Sequence, residues 1–270
     1  MMSKISVVLT HYNRTKQLIN TLKTMNASAV ADRAEIVIVD DAFSPTLSKP
    51  KADASISRVT EDLVRPYTDN VHSLKIISID PADKWWKNQS CVTFNMGFAQ
   101  CTGDVVVLSQ AECLHRGDVL EHALHNTTKG NYLTYSCYVL SKEVSQSILK
   151  DQSVGDLTKQ LKSIPLEKQH WWNHPKFKPK KRNFTASIHS EDLKAIGGFD
   201  EKLAGGHCYE DTDWQHKTSW HLKSIIVPPM PMVYHQWHPI NQCDPNLKKA
   251  NEKVYRQLVK ARKKTPKNIQ

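Results

Sequence analysis

Gly103 to His115 reads GDVVVLSQAECLH. From Asp104 to Leu108 it is a short apolar run rich in β-branched residues, the composition of a strand covered on both faces in a parallel sheet. The run stops abruptly at Ser109, Gln110, Ala111 and Glu112. Open α/β sheets bind ligands in the crevice beyond the carboxyl ends of their strands. A carboxylate here is therefore a candidate ligand for a metal or a metal-bound phosphate. The plainer reading is that Gln110 and Glu112 begin a solvated loop, and the flanking segments weigh between the two.

Upstream, Ile5 to Thr10 (ISVVLT) and Glu35 to Val39 (EIVIV) repeat the buried-strand pattern. The first runs into His11-Tyr12-Asn13-Arg14, after which Leu18, Ile19, Leu22 and Met25 recur at helical spacing, with Asn13 or Thr15 as N-cap. The loop contains neither GxGxxG nor GxxxxGK[ST], which excludes the dinucleotide and P-loop fingerprints. The second strand ends in Asp40-Asp41 before Ala42-Phe43-Ser44-Pro45. Those carboxylates either point into the crevice or cap a turn. A helix around Ser57 to Leu63 and a third strand, Leu74 to Ile79, follow. Trp85-Trp86-Lys87 fills core or offers a stacking surface. Gln89 to Cys101 reads as a helix closed by Gly103 as C-cap, and it feeds the central strand. Residues 1–115 are thus expected to form an α/β sheet with right-handed crossovers.

Downstream, the patterns predict a helix over Gly117 to Thr128, a strand over Tyr132 to Leu140, and helices over Lys142 to Leu149 and Val154 to Leu161. From Pro165 to Arg182 the chain turns basic and aromatic, with Trp171, Trp172, His174 and Phe177 among six Lys/Arg residues. Such a loop suits stacking on single-stranded nucleic acid, stacking on a sugar acceptor, or solvated cover over the core. Phe184 to Ile188 reads as a strand and Glu191 to Ile196 as a short helix. Then comes GGFDEKLAGGHCYEDTD, Gly197 to Asp213, which holds four of the nine glycines. Glu210, Asp211 and Asp213 open a helix running to His221. Acids in a first turn offset the helix dipole, but crowding three together costs repulsion, and general-base or metal chemistry explains the surplus better. Strands over Ile225 to Val227 and Met232 to Tyr234 lead to His235-Gln236-Trp237-His238. With His207, Cys208 and Cys243 these lack zinc-finger spacing, which favours one histidine joining a distant carboxylate on a single divalent ion. Asn246 to Ala261 reads as a basic amphipathic helix packed on the body, ahead of a frayed TPKNIQ.

The 270 residues carry a formal charge of +10, which calls for an anionic partner or a basic surface. No run of 18 apolar residues occurs and no cleavable apolar segment opens the chain, so a soluble, cytoplasmic protein is expected. The six cysteines form no CxxC and are expected to be buried free thiols in a reducing compartment. Five N-x-[ST] matches are then chance occurrences.

Four features now stand in order: Thr10-His11-Tyr12-Asn13-Arg14 after a strand, Asp40-Asp41 after a strand, Glu112 at a strand end, and GGFDE followed by YEDTD. Together with Asn95-Met96-Gly97, Ala99 and Gly103-Asp104, this order over roughly residues 4–240 resembles the nucleotide-sugar glycosyltransferases of the GT-A fold, closest to family 2. The resemblance implies an α/β, Rossmann-like, mixed but mainly parallel sheet flanked by helices. It would be a single domain over residues 1–240, with a nucleotide-sugar half (1–115), an acceptor-side half (116–240) and a basic helix and tail at 241–270. It implies Thr10, Tyr12, Arg14, Asp40, Asp41, Asn95 and Gln110 around the nucleotide-sugar donor, and Glu112 at the metal-binding DxD position. Asp211 would be the catalytic base, with Glu210 beside it. Where the family has DxD this chain has Gln110-Ala111-Glu112, so one carboxylate remains instead of two. Glu112 with His238, or else His235, would hold Mn²⁺ or Mg²⁺ through the diphosphate oxygens. Trp171, Trp172 and Asp213 would meet a glycan, glycolipid or other hydroxyl acceptor. The donor would be UDP-linked, and displacement would invert the anomeric centre.

Two rival readings belong to other classes. A nucleotidyltransferase also puts acids at strand ends, but it carries a Gly-rich basic loop after the first strand, and His11 to Arg14 is not one. A catalytically inactive sugar-nucleotide binder fits the reduced DxD. Nucleic acid is disfavoured, because the positive charge is scattered and no recognition motif is present.

Overall fold

The computed structural model describes residues 4–41, 58–87, 89–150, 152–239 and 243–264. In chain order the elements are β1 (Ile5–His11), α1 (Thr15–Asn26), β2 (Ala34–Asp40), α2 (Glu61–Val64), β3 (Ser73–Ser78), α3 (Gln89–Phe98), β4 (Val105–Gln110) and β5 (Cys113–Arg116). There follow α4 (Val119–Asn126), β6 (Asn131–Thr134), β7 (Ser136–Val139), α5 (Lys142–Ile148), α6 (Val154–Lys162), β8 (Trp171–Trp172) and β9 (Thr185–His189). The chain then forms α7 (Ser190–Ile196), α8 (Glu210–His221), β10 (Lys223–Ile226), β11 (Met232–His235) and α9 (Pro245–Arg262). Of the expected features, Ala42 to Pro45, Ser57 and the TPKNIQ end lie outside the described residues.

Seven strands form a sheet in the order β10-β6-β9-β4-β1-β2-β3. The β4-β1-β2-β3 block is parallel, and β9 runs antiparallel between β4 and β6. Side chains alternate across a strand, and both faces of the parallel block are covered. Val7, Leu9, Ile36 and Ile38 pack with Leu18, Leu22 and Met25 of α1, while Val8, Val37, Val39, Val106 and Leu108 pack with Phe94 of α3. Continuous apolar strands are the expected result of this two-sided cover. A stack of Phe94, Phe199 and Trp214, with centroids 5.3 and 4.4 Å apart, ties α3, the GGFDE segment and α8 into that second layer.

A second sheet, β5-β11-β7-β8, stands beyond the carboxyl end of β4. Here the structure departs from the expected single strand over Tyr132 to Leu140. The chain leaves the large sheet at Tyr135 and enters the small one at Ser136. The switch is fixed by hydrogen bonds: Tyr135 N donates to Thr185 O at 3.1 Å, Asn173 Nδ2 donates to Tyr135 O at 3.2 Å, and Ser136 Oγ donates to Asn173 O at 3.1 Å.

Three smaller expectations change. α3 ends at Phe98, and Gly103 is no helix cap. Its N–H donates to Ser6 Oγ at 2.8 Å, and a Cβ there would lie 2.7 Å from Ser6 N, so glycine is needed for close backbone approach. Arg14 takes the N-cap position of α1 without a side-chain cap, and Asn13 sits in the left-handed region. Cys91, Cys113 and Cys137 are buried as expected, but Cys101 is half-buried and Cys208 and Cys243 are exposed. The basic helix α9 does pack on the body: Asn251 Nδ2 donates to Leu203 O at 2.8 Å and Cys208 O at 2.9 Å, and Arg262 pairs with Asp213. Among the described residues no helix is long and apolar enough to cross a membrane.

Candidate active site

Glu112 lies in the two-residue turn between β4 and β5, at the mouth of the parallel sheet. Its side chain is 2% exposed. β11 runs antiparallel to β5 and delivers His235 opposite Cys113, next to Glu112. Glu112 Oε1 accepts from Arg14 Nη1 at 2.5 Å and lies 3.5 Å from His235 Nε2 and 3.3 Å from His238 Nε2. Gln236, fully buried between the two histidines, clamps the turn: its backbone N (3.0 Å) and its Nε2 (3.2 Å) both donate to Glu112 O, and Nε2 also donates to Gln17 O at 3.0 Å. Burial alone would raise the Glu112 carboxyl, but Arg14, His235 and His238 outweigh it and hold the group well below the usual carboxylate range.

Two observations test whether this cluster suits a cation. Glu112 Oε2 and His235 Nδ1 are buried with no hydrogen-bond partner among the described residues. His238 Nδ1 lies 2.9 Å from the carbonyl oxygen of Pro239, which can only accept, so Nδ1 carries a proton. That leaves Nε2 as the ring nitrogen of His238 that faces the Glu112 carboxylate, where it can donate a hydrogen bond to it or, as a ligand, share a cation with it. One donor atom from each of Glu112, His235 and His238 falls within a mutual 4.8 Å, a set that can hold a metal ion.

The expected nucleotide-side residues gather along the ends of β1, β2 and β4. Thr10 pairs in register with Val39 and with Gln110. Asp40 is engaged internally: His11 Nδ1 donates to its Oδ1 at 2.7 Å and Val59 N donates to its Oδ2 at 3.0 Å. His11 Nε2 accepts from Arg14 N at 3.0 Å, so the ring orients the backbone of the residue that reaches Glu112. Asp41 pairs with Lys84 at 2.9 Å, and the Lys84 ammonium stands 5.0 Å from the centre of the Tyr12 ring. Burial raises the Asp41 carboxyl, opposed by Lys84 and the Trp86 indole. Asn95 faces away from this group, where its amide donates to Phe199 O and Glu201 Oε1 and accepts from Phe199 N.

Glu210 and Asp211 open α8. Asp211 is half-buried; burial raises its carboxyl above the usual range, while the Arg182 charge and the Asn183 amide oppose the rise. Arg182 is itself held by donation to Thr212 Oγ1 at 3.0 Å. Asp213 is buried in an ion pair with Arg262 at 2.6 Å. Trp171 sits in the core of the small sheet, its ring 5.3 Å from that of Tyr138. Trp172 is half-buried, with the Lys178 ammonium over its ring and Phe184 6.0 Å away; the Phe184 ring in turn contacts His235 at 5.4 Å. The structure thus brings Arg14, Glu112, His235 and His238 together and leaves Asn95, Asp213 and Trp171 engaged within the protein.

Residues 66–258, well over half of the chain, match the family model described as Glycosyltransferase like family 2. The chain belongs to this family. No curated protein sequence matches it. Solved structures show that this family 2 chain has the GT-A fold. S. aureus TarS residues 1–349 in complex with UDP-GlcNAc superposes with TM-score 0.61 at 14% identity, over 94% of this chain and 66% of that one. A longer S. aureus TarS chain gives 0.57 at 16% identity over 93% and 39%. The Pyrobaculum calidifontis mannosyltransferase PcManGT, in complex with GDP-Man and Mn²⁺, gives 0.51 at 13% identity over 97% and 74%. The family 2 chain therefore spans at most about two thirds of the TarS chains.

Sequence reasoning overlooked Lys84, Asn183 and the clamping role of Gln236, and read Arg182 only as part of the basic Pro165 to Arg182 loop. Only Gln236 had a local signal, lying between the two histidines already singled out. The others are set by tertiary contacts.

Proposed function

We propose that this chain transfers a sugar from a nucleotide-sugar donor, UDP-linked in the first instance, to an acceptor hydroxyl on a glycan, glycolipid or similar molecule, with inversion and with help from a divalent ion. The observation that carries the reading is Glu112: a buried carboxylate at the carboxyl end of a parallel strand, facing two imidazoles, with one oxygen left without a partner among the described residues. Glu112, His235 and His238 would hold the ion. Imidazole ligands favour Mn²⁺ over the harder Mg²⁺. When bound, such an ion supplies Lewis-acid neutralisation of the departing diphosphate.

The protein groups account for the remaining demands. Arg14 and Lys84 place positive charge beside the donor end of the crevice. Tyr12, with Asp41 beside it, offers a ring and a carboxylate to a nucleoside. Asp211 accepts the proton of the attacking hydroxyl, and a carboxyl raised by burial is a stronger base than an exposed one. Trp172, half-exposed next to Phe184, offers a face to the acceptor.

The test is a melting-temperature series with UDP, GDP, CMP and dTDP, each with and without Mn²⁺, followed by product analysis with the matching sugar nucleotide. A ligand that binds only the native state raises the melting temperature by mass action. One nucleotide should stabilise in a Mn²⁺-dependent manner that Glu112→Ala abolishes, and the product should have inverted anomeric configuration. A retained configuration refutes single-step displacement. Stabilisation without turnover favours the inactive binder, and no stabilisation by any nucleotide removes the donor reading.

A further inference from the structure

The structure assigns Cys208 and Cys243 as a dithiol modification site that takes a small disulfide such as oxidised glutathione and closes into an intramolecular disulfide. The two sulfurs lie 2.9 Å apart and both residues are exposed. They come from different elements: Cys208 lies in the loop before α8, and Cys243 stands directly before Asp244, the N-cap of α9. The approach is held by bonds on both sides. Asn251 of α9 donates to Cys208 O at 2.9 Å, and Asp244 N donates to His207 Nδ1 at 2.9 Å. Cys208 and Tyr209 are consecutive left-handed residues, with φ of 61° and 73°, which fixes the turn that presents the Cys208 thiol.

The other four thiols do not compete. Cys91, Cys113 and Cys137 are buried, and burial pushes the half-buried Cys101 thiol up to about 12. Burial and the Cys243 thiol beside it likewise push Cys208 up to about 12, and since both thiols are exposed either can open the exchange. With Cys243 first, its thiolate attacks one sulfur of oxidised glutathione, and the S–S bond breaks to release one glutathione thiolate, which takes up a proton. Cys208, losing its proton, then attacks the Cys243 sulfur of the mixed disulfide and expels the second glutathione. Two protein thiols are oxidised and one glutathione disulfide is reduced to two thiols. The new bond would tie α9 to the loop three residues before Asp211, which is independent of the transfer reading and holds whether or not the chain turns over a sugar nucleotide.

The experiment is intact-mass and peptide mapping of the reduced protein after incubation with oxidised glutathione. We expect the loss of two hydrogens, a cross-linked peptide joining Cys208 to Cys243, reversal by dithiothreitol, and a higher melting temperature in the oxidised form. Cys208→Ser should instead retain glutathione on Cys243, and Cys243→Ser should retain it on Cys208. Glutathione accumulating on both cysteines of the unmodified sequence, a cross-link through any other cysteine, or no reaction at either position would overturn the assignment.

Discussion

Replacing Arg262 by Leu tests whether the last helix is part of the catalytic body or an appendage. Arg262 Nη2 contacts Asp213 Oδ2 at 2.6 Å, with side chains 10% and 1% exposed, and Asp213 Oδ1 has no hydrogen-bond partner among the described residues. Removing the guanidinium leaves a carboxylate stranded inside the protein, on the helix that starts with Glu210 and Asp211. Breaking one side of a buried pair costs about 3–5 kcal/mol, far more than the pair contributes against an apolar replacement of both partners. In a chain of this size that loss corresponds to a melting point lower by on the order of 10 °C. The double variant Arg262→Leu/Asp213→Leu should recover most of it, because no charge is left unpaired. Urea and thermal unfolding, followed by far-UV circular dichroism and tryptophan fluorescence, measure both variants. A loss below about 1 kcal/mol for Arg262→Leu, the range of exposed ion pairs, would refute the argument, as would a double variant no more stable than the single one.

Gln236→Leu removes the side-chain bonds to Gln17 O and Glu112 O, and we expect about 2–3 kcal/mol of destabilisation together with a weaker Mn²⁺-dependent shift, both read by thermal unfolding. His115 is buried and its pKa is lowered to about 4 by burial. Because the unfolded chain binds the proton first, stability present above about pH 6.5 should fall by up to about 1.4 kcal/mol per pH unit on acidification towards pH 4, and His115→Gln should flatten the melting temperature over that window. Asp211→Asn should abolish transfer while leaving nucleotide binding intact. In the unmodified enzyme the acid limb of the rate profile should lie above the ordinary carboxylate range, since burial raises that group; a limb at or below that range would contradict the assignment of Asp211 as base.

The parallel block was legible because each strand is buried on both faces, so ISVVLT, EIVIV and DVVVL announce themselves without reference to their neighbours. The partners of those strands were not. Tyr132 to Leu140 keeps one unbroken apolar pattern, yet the chain changes sheet at Tyr135 because of bonds to Thr185 and Asn173, which local periodicity does not encode. Glu112 and the two histidines were readable as metal-ligand types at ends of elements, and the structure gathers them. Asn95 and Asp213 have the same polar character but spend it on Phe199, Glu201 and Arg262. Residue type indicates what a side chain can bind; only the fold decides whether protein or ligand takes that place. The Cys208 and Cys243 pair escaped detection for the same reason, since neither spacing nor burial pattern links the loop before α8 to the start of α9.

The clamp between Gln236 and Glu112 joins positions 124 residues apart in sequence. Closing so long a loop is slow, although each doubling of its length adds only about 0.6 kcal/mol of entropy. The cluster of Glu112, His235 and His238 thus exists only after β11, a strand synthesised later than both of its neighbours, has inserted between β5 and β7. A nascent or truncated chain lacking β11 presents Glu112 beside Arg14 but has neither histidine to complete the set, so the cluster forms as a late product of folding rather than as a nucleus for it.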